Sequence, residues 1–228
     1  MDGLSSRSIR EERLKQVVSE DQIISTRAYN LIMGGVVLYG LVVNAILCAF
    51  SSQIVANINP LVLLIGYIVL VIVGMVITRK SKNAIISFLG YNLICVPLGL
   101  VISVMVEAYG GIDARPVQLA FIFTVGITLI MVLAAVAFPK VFEKLGKALF
   151  VALIAIAVVG IIQMFVPAFR NIYSILGAGL FSLYIGFDFY RSQQFAKTAD
   201  NAVDCAVDIY MDIANLFLFL LRIFGRND

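Results

Sequence analysis

Long apolar stretches alternate with short polar connections along almost all of this 228-residue chain. A helix that crosses the hydrocarbon core of a bilayer needs about 20 consecutive, mainly apolar residues, and several stretches approach or exceed that length. The pattern therefore predicts an all-α membrane protein with seven transmembrane helices. The predicted helices cover residues 29–50, 61–77, 84–106, 117–138, 148–166, 172–190 and 203–224.

The polar segment before the first predicted helix, residues 1–28, contains five Lys and Arg residues and no apolar core. A secretory signal peptide needs such a core, so we interpret this segment as a cytoplasmic N-terminal tail. The connections between the helices are too short for a soluble domain. Residues 29–228 are therefore expected to form a single transmembrane domain.

The distribution of basic residues predicts the orientation, because cytoplasmic loops of membrane proteins carry an excess of Lys and Arg. Thirteen of the 17 Lys and Arg residues fall on one side, in the N-terminal tail and in the segments 78–83, 139–147 and 191–202. The N-terminus is therefore expected in the cytoplasm. The C-terminus lies outside if the seventh segment crosses fully. If that segment only dips into the membrane, the cytoplasmic side has 15 Lys and Arg residues and the other side has 2. The side of the C-terminus therefore stays open.

Composition narrows the chemistry of the protein. The chain is 61% hydrophobic with a net charge of +3, which suits a protein surrounded by membrane lipids and gives no indication of nucleic-acid binding. It contains no His, and its three Cys are far apart in the sequence. His-based metal sites and His-assisted catalysis are therefore excluded, and no disulfide framework is indicated. No cofactor motif is visible, and proton-linked behaviour near neutral pH has to come mainly from carboxylates.

Glycines are spread over the first, second and sixth predicted helices, where they can let helix backbones approach closely. We interpret them as packing positions. They are Gly34, Gly35, Gly40, Gly66, Gly74, Gly177, Gly179 and Gly186.

Two aspartates lie inside the last two apolar segments, Asp188 near the end of the sixth and Asp212 within the seventh. A charged side chain near the bilayer centre costs about 2.5–3.5 kcal/mol on insertion scales, so such residues usually face a partner or a cavity. The short connection makes the two helices antiparallel neighbours. Their carboxyl groups can meet if the seventh helix begins further into the cytoplasm. Two carboxyl groups in close contact share a proton and titrate as a pair.

Such a pair is compatible with three kinds of chemistry. It can hold a proton and act as a pH gate, bind a hard cation such as Ca²⁺ through carboxylate oxygens, or activate water for peptide hydrolysis. A purely structural alternative is that each aspartate pairs with Arg79, Lys80 or a freed backbone group. Arg79 itself is either an anchor that follows the positive-inside rule or a latch that reaches Asp188 or Asp212.

Further charges mark the seventh segment. Asp204, Asp208 and Asp212 recur every four residues, which places them on one face of a helix. With Arg222 beyond them, this helix suits the centre of a bundle, wrapped by the other six, better than contact with lipid. Asp204 and Asp208 are expected to form a solvated helix start or, in a functional interpretation, a vestibule that attracts cations. Arg222 is either a snorkelling anchor or, together with Asn215, part of a pore lining.

Two motifs in these last helices resemble the Bax inhibitor (TMBIM) family, in particular its bacterial branch. They are Phe181-Ser-Leu-Tyr-Ile-Gly-Phe-Asp188 and Tyr210-Met-Asp-Ile-Ala-Asn215-Leu-Phe, the second followed by Leu220-Leu-Arg-Ile-Phe-Gly225. The resemblance implies a central C-terminal helix wrapped by six others, a place in the bacterial plasma membrane, and a pH-sensitive Ca²⁺ leak. It also implies that Asp188 and Asp212 form a di-aspartyl pH sensor and that Arg79 is a basic latch.

The chain departs from this family pattern at two places. Relatives often carry a carboxylate within the second helix, whereas residues 61–77 contain none. After the first aspartate, relatives commonly have a small or polar residue followed by an amide side chain. Here Phe189-Tyr-Arg191 follows Asp188.

Three functions are hypotheses at this point. The first is a passive, proton-gated Ca²⁺ leak, with Asp188 and Asp212 as its gate and as ligands of the passing Ca²⁺. The second is a non-conducting regulatory protein that binds another membrane protein, such as a quality-control protease. The third, an intramembrane aspartyl protease, is disfavoured because Asp212 lacks the Gly-x-Gly-Asp context of such enzymes and no Pro follows Pro167. We therefore expect a protein that is not an enzyme.

Overall fold

The structure is a computed structural model that describes residues 22–50 and 59–226. Within these ranges the chain forms seven α-helices and no strand, which confirms the all-α class. A short 3-10 helix at Pro167–Phe169 connects the fifth helix to the sixth. The predicted N-terminal tail lies outside the described residues as far as residue 21. The helices are α1 (Thr26–Phe50), α2 (Pro60–Lys80), α3 (Ala84–Ala108), α4 (Arg115–Ala137), α5 (Pro139–Phe165), α6 (Arg170–Ser192) and α7 (Ala199–Phe224).

Side-chain caps fix where several helices begin. Asn59 caps α2 by accepting a hydrogen bond from the Leu61 N–H at 2.9 Å, and Pro60 in the first turn has a φ that is already helical. Asn83 and Thr198 cap α3 and α7 in the same way, by accepting from backbone N–H groups two or three residues later. These caps allow polar connections of only a few residues to end one helix and start the next.

Helix α5 begins earlier than the hydropathy pattern predicts, at Pro139 and not at residue 148. Its first turns carry Lys140, Lys144 and Lys147, which are all exposed. Hydropathy detects the part of a helix that contacts lipid, whereas a helical turn with exposed polar residues has the composition of a loop. The segment 139–147 is therefore a polar extension of α5.

The seventh helix runs the whole length of the bundle. Helices α1 to α6 are long and apolar enough to cross a membrane by length and composition, whereas α7 carries too many charges to meet that description. At its start, however, Asp200 accepts a hydrogen bond from Ser87 near the beginning of α3, and after its end Gly225 lies against Tyr109, which follows α3. Its 26 residues extend over about 39 Å at 1.5 Å per residue. We therefore describe α7 as the seventh crossing.

The basic segments gather at one end of the bundle. The Ile24 N–H, just before α1, donates to the Lys197 carbonyl in the α6–α7 loop at 2.8 Å. The start of α5 lies against the end of α6, where Phe142 contacts Gly186. The α2–α3 turn lies at the same end, beside the start of α7. The positive-inside rule predicts that this end faces the cytoplasm. The end of α7 lies at the opposite end of the bundle.

Helix α7 forms the centre of the bundle. Sixteen of its 26 residues are buried, and it packs against α1, α3, α4 and α6. Helices α2 and α5 lie further out and pack mainly against α3 and α6 respectively. Of the six helices that were expected to wrap α7, four therefore pack directly against it and two lie outside those four. Helix α2 still reaches α7 through the long side chain of Arg79, which bonds to Asp208.

Some of the glycines, but not all, mark close contacts. A Cβ atom added to Gly74 would lie 2.6 Å from the backbone oxygen of Gly90, where α2 and α3 meet. A Cβ atom at Gly40, Gly177 or Gly186 would meet aromatic side chains of other helices. The packing interpretation is corrected for the remaining four glycines, because a Cβ atom there would meet no atom of another helix within 4 Å among the described residues. These four are Gly34, Gly35, Gly66 and Gly179.

Replacing Gly74 by Ala is expected to lower the free energy of unfolding by about 1–3 kcal/mol, because the new methyl group would meet a backbone oxygen that cannot swing away. The matched control is Gly66→Ala in the same helix, where space is open. Alanine favours a helix over glycine by up to about 1 kcal/mol, so the control should be neutral or slightly stabilised. Thermal unfolding of both variants in detergent measures the difference. Equal unfolding midpoints would contradict the close approach of α2 and α3.

Candidate functional site

Asp188 and Asp212 meet at the interface between α6 and α7. Asp188 lies four residues before the end of α6 at Ser192, whereas Asp212 lies 13 residues after the start of α7 at Ala199. The first turns of α7 therefore extend beyond α6, and the two carboxyl groups lie close enough to interact. Both residues are buried, each with 7% exposure. Because two neighbouring carboxyl groups in a poorly solvated site cannot both ionise cheaply, such a pair is expected to share a proton.

Arg191 connects this pair to the preceding aspartate on α7. Its Nη1 atom lies 3.2 Å from Asp188 Oδ1, and its Nη2 atom lies 2.7 Å from Asp208 Oδ2. The side chain is only 12% exposed, and the rings of Phe187 and Phe195 lie 5.7 and 5.9 Å from its guanidinium carbon. The guanidinium group therefore offsets part of the buried negative charge and ties the end of α6 to α7.

Asp208 also binds a second arginine, which comes from α2. Arg79 Nη2 donates to Asp208 Oδ1 at 2.9 Å, while Arg191 donates to the other carboxylate oxygen. One carboxylate thus joins α2, α6 and α7. The structure thus gives Arg79 a partner that the sequence did not predict, the aspartate one turn before Asp212, while a latch that reaches Asp188 or Asp212 stays a prediction. The side chain of Asp208 is 18% exposed, so it is less solvated than expected.

Asp204, one turn closer to the start of α7, is buried, with 6% exposure. The prediction of a solvated helix start is therefore corrected for this residue too, because side chains of α2 cover this part of α7. The two helices enclose a small crevice at this point. Its lining residues are Met75, Thr78, Arg79, Asp204, Val207 and Asp208. A role for Asp204 and Asp208 in attracting cations stays a prediction.

Beyond Asp212 the buried face of α7 is apolar. Asn215, predicted to line a pore, donates its side-chain N–H to a backbone carbonyl of its own helix at 2.8 Å. Arg222 lies over the rings of Tyr173 and Phe219, with its guanidinium carbon 5.7 and 5.5 Å from the ring centroids. The buried apolar residues of this half are Ile213, Ala214, Leu216, Phe219, Leu220 and Leu221. The outer half of α7 is thus closely packed and closed in this conformation.

The start of α1 holds the loop between α6 and α7 in place. Tyr29 is fully buried, and its hydroxyl group donates to the Ser192 carbonyl at 2.9 Å and lies 3.3 Å from Cys205 Sγ. The Lys197 ammonium group lies 4.5 Å from the centroid of the Tyr29 ring, and partial burial lowers the pKa of Lys197. These contacts fix the register of α6 against α7, on which the meeting of the two aspartates depends.

The site brings few metal ligands together. Among the residues that the structure describes, no group of three or more His, Cys, Asp or Glu side chains is arranged to hold a metal ion. Calcium takes about six to eight oxygen ligands, more than two carboxyl groups provide. The assignment of Asp188 and Asp212 as Ca²⁺ ligands therefore stays a prediction, and it concerns an ion in transit.

Arg191 is the site residue that the sequence analysis did not identify. Its position near the end of a predicted helix placed it among the basic residues that were used to predict the orientation. Its spacing from Asp188 is the signal that could have revealed it. Residues three apart share a helix face, and opposite charges at this spacing form ion pairs.

The fold and the site define a class of protein, a seven-helix membrane bundle whose central C-terminal helix carries buried aspartates. Comparison with known proteins identifies the family. The family model described as "Inhibitor of apoptosis-promoting Bax1" matches residues 21–228. The chain therefore belongs to the Bax inhibitor family.

Several relatives match this chain over different lengths. An uncharacterized membrane protein of Streptococcus pyogenes serotype M1 is 30% identical over 170 residues, which cover 71% of this chain and 72% of the relative. An uncharacterized protein of Helicobacter pylori is 39% identical over 85 residues, 36% of each chain. A BI1-like protein of Arabidopsis thaliana is 35% identical over 91 residues, 39% of this chain and 36% of the relative. The match thus spans little more than a third of the last two relatives.

Replacing Arg191 by Leu is expected to lower the free energy of unfolding by about 3–5 kcal/mol, because the buried carboxylate of Asp188 loses its guanidinium partner and the half-buried carboxylate of Asp208 loses one of two. The matched variant Arg79→Leu should lose only about 1 kcal/mol, because the Arg79 side chain is 31% exposed and its ion pair is more solvated. Unfolding of both variants in the same detergent compares the two ion pairs. Equal losses of unfolding free energy in the two variants would show that the ion pairs of Arg191 do not stabilise the protein more than the ion pair of Arg79.

Proposed function

We propose that this protein is a pH-sensitive calcium leak channel of the bacterial cell membrane, gated by Asp188 and Asp212. The observation that supports this function is the buried pair of neighbouring carboxyl groups beside Arg191 in the core of the bundle. Ionisable groups inside a membrane domain are costly and mark ion or proton pathways. Membership in the Bax inhibitor family agrees with the proposal, since the chain resembles members that carry a di-aspartyl sensor.

Proton exchange at the pair changes the charge that the arginines face. With one shared proton, Asp188 and Asp212 together carry a single negative charge. Loss of that proton places two charges beside Arg191, which also binds Asp208. In this poorly solvated site the second charge strengthens the attraction to Arg191 but also adds repulsion between the two neighbouring carboxylates, and protonation of both carboxyls removes both effects. We expect α2, α6 and α7, which the arginines tie together, to separate on opening.

Conduction requires the outer half of α7 to move away from its neighbours, because its apolar side chains are buried in this conformation. At the cytoplasmic end, Asp204 and Asp208 line the crevice beside α2, and carboxylates attract divalent cations to a pore entrance. Calcium favours carboxylate oxygens, and a contact with only two carboxyl groups releases the ion readily. We therefore regard Ca²⁺ and protons as the transported or exchanged species, with no resident cofactor.

The closed outer half of α7 favours a second function. A molecule sealed in this way can act without conducting, as a regulatory protein that binds another membrane protein such as a quality-control protease. The outer helices α2 and α5 have largely exposed apolar faces, which suit either lipid or a partner helix. In that case the aspartate pair sets the conformation that the partner recognises. Neither function involves enzymatic chemistry.

Asp212→Asn is expected to remove most of the pH dependence of Ca²⁺ flux, because the amide has nearly the same size but cannot exchange the proton. Ca²⁺ entry into liposomes with a trapped dye measures the flux between about pH 6 and about pH 8. The matched control is Asp113→Asn, the same chemical change at an exposed aspartate in the α3–α4 connection. This control should keep the wild-type curve.

Two results would contradict the leak proposal. A flux–pH curve that Asp212→Asn leaves unchanged removes the pair as the gate. The absence of flux from wild type at every pH, in protein with a cooperative unfolding transition, removes the leak itself and favours the regulatory function. Cross-linking the intact chain in its own membrane then tests for a partner protein whose capture depends on Asp212.

A further inference from the structure

We infer that the turn between α2 and α3 binds the phosphate group of an anionic phospholipid. A groove opens on the surface of the protein where α2 ends and α3 begins. Its lining residues are Val76, Ile77, Lys80, Ser81, Lys82, Asn83 and Ile86. Since the groove joins the ends of two membrane-crossing helices, it lies at the boundary between head groups and acyl chains. The basic loops assign this boundary to the cytoplasmic leaflet.

Lys80 and Lys82 supply the positive charge of the groove. Both side chains are exposed, whereas the neighbouring Arg79 turns inward and bonds to Asp208 at 2.9 Å. The basic residues of this turn are thus divided between two surfaces. The arginine offsets charge inside the bundle, and the two lysines face the membrane boundary. Basic pockets at the cytoplasmic ends of transmembrane helices bind anionic lipid head groups.

The apolar wall of the same groove favours a lipid over a soluble phosphate. Val76 and Ile86 are 47% and 49% exposed, and Ile77 lies beside them. These residues belong to the helices that cross the membrane, so their exposed surfaces lie at the depth of acyl chains. A phosphate held by the lysines would place its attached chains along this wall, whereas a soluble phosphate would leave it uncovered.

The polar extension of α5 provides a matched control for this site. Lys144 and Lys147 are also exposed, and the basic loops place them at the same end of the bundle. They lie outside the groove, on one helix. Removing two charges there changes the net charge of the protein by the same amount as removing Lys80 and Lys82.

Native mass spectrometry of the full chain in detergent tests the site, with phosphatidylglycerol and phosphatidylcholine of identical acyl chains as probes. Wild type should bind the first phosphatidylglycerol about tenfold more tightly than phosphatidylcholine. The double variant Lys80→Gln/Lys82→Gln should lose about tenfold in phosphatidylglycerol affinity with phosphatidylcholine binding unchanged, and Lys144→Gln/Lys147→Gln should change either affinity less than about twofold. Lys80→Arg/Lys82→Arg keeps both charges and should keep the preference.

Three results would overturn the inference. Equal affinity of wild type for the two lipids removes the site. Equal losses in the two glutamine variants show that the lysines act only through the total charge of the protein. Displacement of phosphatidylglycerol by an equal concentration of soluble glycerol phosphate shows an anion site that does not recognise lipid. If Lys80→Gln/Lys82→Gln unfolds, the test rests on Lys80→Arg/Lys82→Arg. That variant keeps both charges, so loss of its preference for phosphatidylglycerol would also contradict a charge-based site.

Discussion

The carboxylate of Asp208, held between the guanidinium groups of Arg79 and Arg191, is the interaction on which the rest of the structure depends. An unpaired charge in a protein interior costs several kcal/mol, and removing one partner of a buried pair leaves that cost uncompensated. The two arginines come from α2 and α6, so the compensation of charge also fixes two helices to the central one. The neighbouring carboxyl groups of Asp188 and Asp212 lie beside this cluster, and Arg191 contacts Asp188 as well as Asp208.

The central place of α7 follows from the same electrostatics. A helix with aspartates every four residues has no stable orientation in lipid, whereas neighbours that supply arginines and backbone contacts make its burial possible. Beyond Asp212 the buried face of α7 carries no carboxylate that needs a positive partner. There α7 packs through apolar side chains and aromatic rings such as that of Phe219. The helix is thus polar and ion-paired in its cytoplasmic half and apolar in its outer half. This asymmetry places any proton-dependent change in the cytoplasmic half.

Hydropathy and charge predict most of the fold, because spanning helices need long apolar stretches that few other structures contain. The meeting of Asp188 and Asp212 could also be predicted, since antiparallel neighbours joined by a short loop place them at comparable depth. The burial of Asp204 could not be predicted, because it depends on how α2 packs across α7. No local sequence pattern indicates that packing. The early start of α5 was hidden by exposed lysines, and the role of Arg191 was hidden because a charge count treats every basic residue near a helix end alike.

The division between arginine and lysine at the cytoplasmic end follows from their different hydration. Arginine binds carboxylates through a planar group that is weakly hydrated, whereas the lysine ammonium is strongly hydrated on a flexible apolar stem. Arg79 and Lys80 are adjacent, and a helix turns by about 100° per residue, so one reaches Asp208 while the other reaches the membrane boundary. The end of α2 is therefore attached to the bundle on one side and, in the proposed lipid site, to a head group on the other. In the proposed channel, a movement that separates Arg79 from Asp208 would also move Lys80 relative to the lipid head groups, so the membrane would take part physically in opening.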